Sequence, residues 1–180
     1  KHLASLGARL AVVDIKSDKA TAVAKEIAGA GGEAEPFVCD VTDEGSVVAM
    51  RDAVVDRFGR IDYLFNNAGY QGLFTQIDKY PSDDFQAVIN VNVVGVFHVL
   101  KVCSQQMIAQ AEAVPRAAGP QGEGGGSPAP GSTIAGASPG AIVNTASMAG
   151  VRCPPNMIGY TASKAAVVGI TVNAALDLAP

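Results

Sequence analysis

The sequence is short of positive charge: thirteen lysines and arginines stand against seventeen aspartates and glutamates, a net charge of −4 over 180 residues. That balance argues against a nucleic-acid surface or a polybasic membrane anchor and leaves small molecules or protein as the expected partners. Cysteine is also scarce. Cys39, Cys103 and Cys153 lie far apart, form no CxxC and leave one unpaired in any disulfide scheme, so a reducing, cytoplasmic compartment and no structural metal are expected. No apolar run approaches the roughly 18 residues of a membrane span, and Leu10 to Val13 is too short for the core of a signal peptide, so no membrane association is expected. What remains is a globular composition, 48% hydrophobic and 17% charged, long enough for one domain with a buried core. The chain opens at Lys1 without an initiator Met and stops at Pro180 directly after a helical pattern. Both ends read as cut, and residues 1–180 are expected to form a single truncated domain.

Leu10 to Asp14 is a short apolar run closed by an acid, and Ala20, Val23, Ala24 and Ile27 follow at helical spacing before Gly29-Ala-Gly-Gly stops them. Strand, then helix, is the reading. The unit repeats: Phe37-Val-Cys-Asp reads as a strand, Thr42 as a helix cap, and Val47, Met50, Val54 and Phe58 as the buried stripe of that helix. Tyr63-Leu-Phe-Asn makes a third strand. Ser82 is placed to cap a long helical pattern through Phe85, Val88, Ile89, Val96, Leu100, Cys103 and Met107, and Ala141-Ile-Val-Asn makes a fourth strand. Apolar strands separated by single helices predict right-handed βαβ units, hence an α/β fold with a parallel sheet covered on both faces. Pro115 to Gly140 holds eight of the twenty glycines and five of the ten prolines. It has too little apolar surface to offset its ordering entropy and is expected to be a disordered insertion over 115–140.

Chemistry concentrates in Ser147 and in Tyr160-Thr-Ala-Ser-Lys164. On a helix Tyr160 and Lys164 share a face one turn apart, and an ammonium beside a phenol favours the phenolate, as a tyrosine exchanging protons near neutral pH requires. Ser147 ends the fourth strand, where open α/β sheets place their ligands.

With Asn66-Asn-Ala-Gly after the third strand, Asn92 inside VNVVG, NTAS after the fourth strand, and Tyr160-x-x-x-Lys164 beyond Ser147, the sequence resembles the short-chain dehydrogenase/reductase superfamily over nearly all of its length except the Gly/Pro-rich segment. The resemblance implies a Rossmann-like doubly wound parallel sheet. It makes Tyr160 the general acid/base, Lys164 the residue that tunes it and holds the nicotinamide ribose, and Ser147 the group that orients the reacting oxygen. Asn92 becomes the holder of a water in a proton relay; a polar Asn is also a poor interior residue for a helix striped with valines.

Asp14 closes the strand that carries the acid for the adenosine ribose, and a carboxylate there repels a 2′-phosphate, so NAD is the expected cofactor. Asp40, with the Val41 backbone, matches the adenine contact, while Asn66, Ala68 and Gly69 match the loop lining the cofactor. For Asn67 a purely structural reading stands open. The family's first strand and its glycine-rich phosphate turn are absent, as is everything after the helix ending near Pro180. Since that strand lies between those ending at Asp14 and Asn66, a gap in the sheet is expected.

NNAGYQGLF, YPSDDF, FHVLKVCSQQMI, NTASMAGV, PPNM and AALDLAP further resemble bacterial NAD-dependent xylitol dehydrogenases. That implies oxidation of a polyol's secondary alcohol to a ketose, with Gln71 and Asn156 as candidate substrate amides beside Ser147, or else simply a loop amide and a helix cap. Met148 and Met157 are pocket walls or packing; His98 and Cys103 are packing or subunit interface. The resemblance also implies a homotetramer of the full-length protein. Another activity of the superfamily, such as a 3-oxoacyl reductase or a steroid or secondary-alcohol dehydrogenase, remains an alternative, as does a non-catalytic remnant.

Overall fold

The apolar runs become strands β1 (Arg9–Asp14), β2 (Glu33–Val38), β3 (Tyr63–Asn66) and β4 (Ala141–Asn144) in a computed structural model that describes residues 1–113 and 140–179. The helices between and around them are α1 (His2–Ser5), α2 (Ser17–Gly29), α3 (Glu44–Phe58), α4 (Ser82–Ile89), α5 (Val96–Glu112), α6 (Ala149–Arg152) and α7 (Ile158–Asp177), with a π-helical stretch, Asn90–Gly95, joining α4 to α5. The Gly/Pro-rich insertion expected over 115–140 lies outside the described residues except for Gly140.

Pairing is parallel throughout. Arg9 to Asp14 of β1 register with Glu33 to Val38 of β2, and Tyr63 to Asn66 of β3 with Ala141 to Asn144 of β4. β2 starts earlier than the apolar run at Phe37 suggests, because the ladder with β1 recruits Glu33 to Pro36; a proline there suits an edge strand, which has one side free of ladder bonds.

The two pairs do not join into one sheet. Between them runs a groove of about 470 Å³, walled by Arg9, Leu10 and Ala11 of β1 on one side and Tyr63, Leu64 and Phe65 of β3 on the other. This is the expected gap. Its consequence is that Tyr63 and Phe65, strand residues of core type, are exposed.

The core forms where α3 meets α5. Val47, Met50, Val54 and Phe58 present one buried stripe to Val99, Val102 and Cys103, with Cys39 between them. The α3 cap is Asp43, whose carboxylate accepts the Gly45 N–H at 2.9 Å. Thr42, expected in that role, instead donates both its N–H and its hydroxyl to Asp40, since Asp43 is the last extended residue before the helix. Ser82 likewise is the first helical residue, after Pro81, with no side-chain cap bond. The continuous stretch Ser82–Glu112 is long and apolar enough to cross a membrane by length and composition, but half of its most apolar window is buried and it packs on α3, α7 and β3 as a core helix. Cys39 and Cys103 are buried free thiols and Cys153 an exposed one.

Candidate active site

Because α7 starts at Ile158, Tyr160 and Lys164 fall one turn apart, and the Lys164 ammonium stands 5.6 Å from the centroid of the Tyr160 ring. Lys164 is only 4% exposed. Burial penalises its charged form and lowers its pKa, and the ammonium is partly compensated by donating to the Thr145 backbone oxygen at 2.7 Å. That bond ties the end of β4 to α7.

Ser147 lies half-buried just before α6 and accepts the Ala149 N–H at 3.1 Å, which leaves its own hydroxyl hydrogen to donate elsewhere. Its placement depends on Gly150. A Cβ there would sit 2.6 Å from the Lys164 carbonyl carbon and 2.7 Å from the Ala165 nitrogen, so only glycine lets α6 lie backbone to backbone on α7. The serine turn is thereby brought to the helix that carries Tyr160.

Asn92 is fully buried inside the π-helical stretch, a wide turn often found where function demands an irregular helix. Its amide donates to the Tyr70 backbone oxygen at 2.8 Å and to the Ser163 hydroxyl at 2.9 Å, and its oxygen accepts the Tyr70 N–H at 2.7 Å. The Ser163 hydroxyl in turn donates to the Tyr160 backbone oxygen at 2.8 Å. Asn92 therefore couples the loop after β3 to the turn of α7 that carries Tyr160, and both its amide hydrogens are engaged within the protein. A water relay through this residue would have to donate to one of its carbonyl oxygens, side-chain or backbone.

A cleft of about 550 Å³ opens at the carboxyl ends of β1 and β3, lined by Asp14, Asp40, Val41, Asn66, Ala68 and Gly69 among others. Asp14 accepts the Lys16 N–H through one oxygen at 2.8 Å, and the other can accept from a ligand. Asp40 is held below the usual carboxylate range by the hydroxyl and N–H of Thr42. Val41 is positioned by His98, whose Nδ1 lies 3.1 Å from its backbone oxygen. Gly69 lies close to Asn92 Oδ1 and Lys164 Nζ, which a Cβ there would meet at 3.4 and 3.8 Å, ordinary contact distances.

Asn66 lines this cleft, and its side chain also braces the strands. It is 3% exposed and donates to the Val96 backbone oxygen at 2.9 Å and to Asn144 Oδ1 at 3.1 Å, bracing β3 against β4 and α5. Asn67 accepts the Thr145 hydroxyl at 2.9 Å. The two candidate substrate amides do not converge: Gln71 is exposed, and Asn156 lines a separate depression of about 580 Å³ with Thr75, Ile77 and Cys153, to which neither Ser147 nor Tyr160 contributes. Asn156 has φ 64° and accepts the Thr75 N–H through its backbone at 3.1 Å, the behaviour of a turn residue. Met157 lines that depression and Met148 is exposed.

Sequence reasoning missed Thr145, Ser163 and Gly150, which hold the site together. Ser163 carried a signal, a hydroxyl three residues after Tyr160 and next to Lys164 in the Tyr160-to-Lys164 motif. Thr145 acts through its backbone and carried none.

Residues 1–114 and 132–180 match the family described as short chain dehydrogenase. The chain belongs to this family. It is 34% identical to levodione reductase of Leifsonia aquatica, covering 98% of this chain and 57% of that protein, and 33% identical to the 3-oxoacyl-[acyl-carrier-protein] reductase FabG of Thermotoga maritima, covering 96% and 59%. Among solved structures, the NAD+-bound xylitol dehydrogenase is similar with a TM-score of 0.82 and 44% identity, over 99% of this chain and 58% of that one. The chain thus spans a little over half the length of the proteins it matches, and the short-chain dehydrogenase frame carries through the part that is shared.

Proposed function

We propose that the whole protein is an NAD-dependent oxidoreductase that interconverts a secondary alcohol, a polyol such as xylitol, and its ketone. The observation that carries this reading is the buried Lys164 ammonium held between the Thr145 carbonyl and the Tyr160 ring. That contact places the α7 cation beside the phenol that would exchange the substrate's proton.

The residues present fit two parts of the dinucleotide. The open carboxylate oxygen of Asp14 suits an adenosine ribose hydroxyl and disfavours a 2′-phosphate, with Asp40 and Val41 beside it for the adenine; Gly69, near Lys164 and Asn92, lines the same cleft on the side where the nicotinamide ribose would lie. The bound nicotinamide supplies hydride acceptance. Tyr160 accepts the alcohol's hydroxyl proton as the carbonyl forms, and returns it in reduction. Lys164 stands beside the Tyr160 ring and offers its remaining N–H donors to the ribose. Ser147 donates to the reacting oxygen, and Asn92 keeps the Tyr160 turn and the cleft loop in register through Ser163 and Tyr70.

The polyol assignment is supported by the 44% identity to xylitol dehydrogenase, against 34% and 33% for the other two relatives. A 3-oxoacyl reductase is the second reading, favoured by the FabG likeness. We further propose a cytoplasmic homotetramer, supported by the exposed apolar residues Val168, Val172 and Leu176 along α7. The test is initial-rate kinetics of the full-length protein on polyols, 3-oxoacyl thioesters and hydroxysteroids with NAD and NADP. Fastest turnover of a polyol with NAD is expected; a preference for NADP with a thioester would replace this reading by the second.

A further inference from the structure

Outside the groups given a chemical role above, the most highly connected side chain beside the site is Asp84, on the first turn of α4. It accepts the Tyr70 hydroxyl at 2.7 Å on one oxygen, and the Tyr80 hydroxyl at 2.6 Å and the Leu73 N–H at 2.9 Å on the other. Three donors on one carboxylate are far more than a surface acid at a helix start needs for the dipole alone. They hold its pKa below the usual range, Tyr80 first among them, while burial and the carboxylate push Tyr80 up to about 12.

What these bonds hold is the loop that follows Gly69, together with Tyr80. Tyr70 is the residue whose backbone Asn92 grips from both sides. Gly72, between Tyr70 and Leu73, adopts φ 71°, and a Cβ there would lie 2.5 Å from the Tyr80 hydroxyl, 2.5 Å from Val88 Cγ2 and 2.9 Å from Asp84 Oδ2. The loop is therefore pressed flat on the carboxylate. On its other side the Tyr80 ring rests on the backbone next to the acid/base candidate: a Cβ at Gly159 would lie 3.0 Å from the Tyr80 hydroxyl and 3.4 Å from its Cζ. Phe85 backs the Tyr80 ring edge to face, with centroids 6.4 Å apart.

We propose that Asp84 is a positioning residue that sets the alcohol pocket, clamping the 70–73 loop through Tyr70 and Leu73 and spacing it from the Gly159–Tyr160 turn through Tyr80. It touches no reacting atom. By fixing Tyr70 it fixes the partner of Asn92, and by fixing Tyr80 it fixes how near the loop bearing Gln71 stands to Tyr160. The inference rests on the dehydrogenase reading for its kinetic test, and a second readout is independent of that reading.

The experiment compares full-length wild type with Asp84→Ala, Asp84→Asn and Tyr70→Phe. In Asp84→Ala the KM for the alcohol rises about tenfold, while the KM for NAD stays within about twofold. Asp84→Asn, which keeps an acceptor for Tyr80 and Leu73, recovers most of the loss. A variant that merely unfolds part of the enzyme would lower apparent kcat and leave both KM values unchanged. Amide hydrogen exchange supplies the second readout: Leu73 and Tyr70 exchange at least about tenfold faster in Asp84→Ala, whatever the enzyme turns over. Should Asp84→Ala fail to fold, Tyr70→Phe carries the test, since it deletes a single hydroxyl; its alcohol KM rises about threefold and its Tyr70 amide exchanges faster. An alcohol KM within about twofold of wild type in every folded variant, or unchanged exchange at Tyr70, overturns the proposal. If no substrate is turned over by wild type but exchange responds, the clamp stands and the dehydrogenase reading fails.

Discussion

The ammonium of Lys164 donates from α7 to the backbone oxygen of Thr145, 2.7 Å away just beyond β4, with its charge 5.6 Å from the centroid of the Tyr160 ring. One contact thus joins the strand end that precedes Ser147 to the helix that carries Tyr160. It also aims a positive charge that neither element could place alone.

Tyr160 and Lys164 should separate by what each loses. In the full-length protein Tyr160→Phe abolishes turnover and leaves NAD affinity within about threefold, because the phenol exchanges the proton and holds little of the cofactor; Lys164→Ala impairs both. Steady-state rates with NAD affinity from calorimetry are the check. More than about a tenth of wild-type rate in Tyr160→Phe would remove it from the acid/base role.

Gly150→Ala puts a methyl 2.6 Å from backbone atoms of α7 that cannot rotate away. The expected cost is about 1 to 3 kcal/mol in urea unfolding, as for other overpacked sites. Turnover falls as well, because relief of the clash moves α6 and the Ser147 turn together. Unchanged stability would mean that α6 does not dock on α7 as described.

Cys103, 2% exposed, has its thiol pushed up to about 11 from an ordinary value of 9.0, chiefly by burial. The unfolded chain then loses this proton first, so the contribution is intact below about pH 9 and disappears as pH rises through 11. About 2 to 3 kcal/mol is lost across that window. Urea midpoints at pH 8 and pH 10.5 should fall further apart in wild type than in Cys103→Ala. Equal differences in the two proteins would show that the thiol is hydrated in the folded state.

Residues 1–180 expressed alone are expected to aggregate and to bind no NAD at micromolar concentration. β1 and β3 face an open groove of about 470 Å³ with unpaired edges, and unsatisfied backbone groups cost about 1 to 3 kcal/mol each when buried, against about 5 to 15 kcal/mol for a whole domain. No helix among the described residues offers a glycine-rich N-terminus to a pyrophosphate. An NAD titration of any soluble monomer decides it, and saturable binding tighter than about 100 micromolar would show that the segment builds its own site.

Much of this was legible residue by residue. The stripe Val47, Met50, Val54 and Phe58 is buried as its spacing predicts, and Tyr63–Asn66 and Ala141–Asn144 are strands with the expected bounds. Those signals are local, since burial of one helix face or one strand imposes a period on the sequence itself. Misplaced caps at Thr42 and Ser82 show the limit of local reading: Asp43 caps in place of its polar neighbour Thr42, and the helix of Ser82 starts one residue earlier, after Pro81, so only the turn's dihedrals fix the boundary.

The sequence by itself determined the α/β alternation, the family, the presence of Ser147, Tyr160, Lys164 and Asn92, and the gap that divides the sheet. The tertiary structure alone decided that Asn66 braces strands with its side chain, that Asn156 turns away from Ser147 and Tyr160, and that Asp84 gathers Tyr70, Tyr80 and Leu73. The physical reason is that these contacts join residues far apart in the chain or run through backbone atoms. Such atoms are common to every residue type and so leave no mark on the order of side chains, whereas a periodic apolar face or a motif of fixed spacing is written in that order directly.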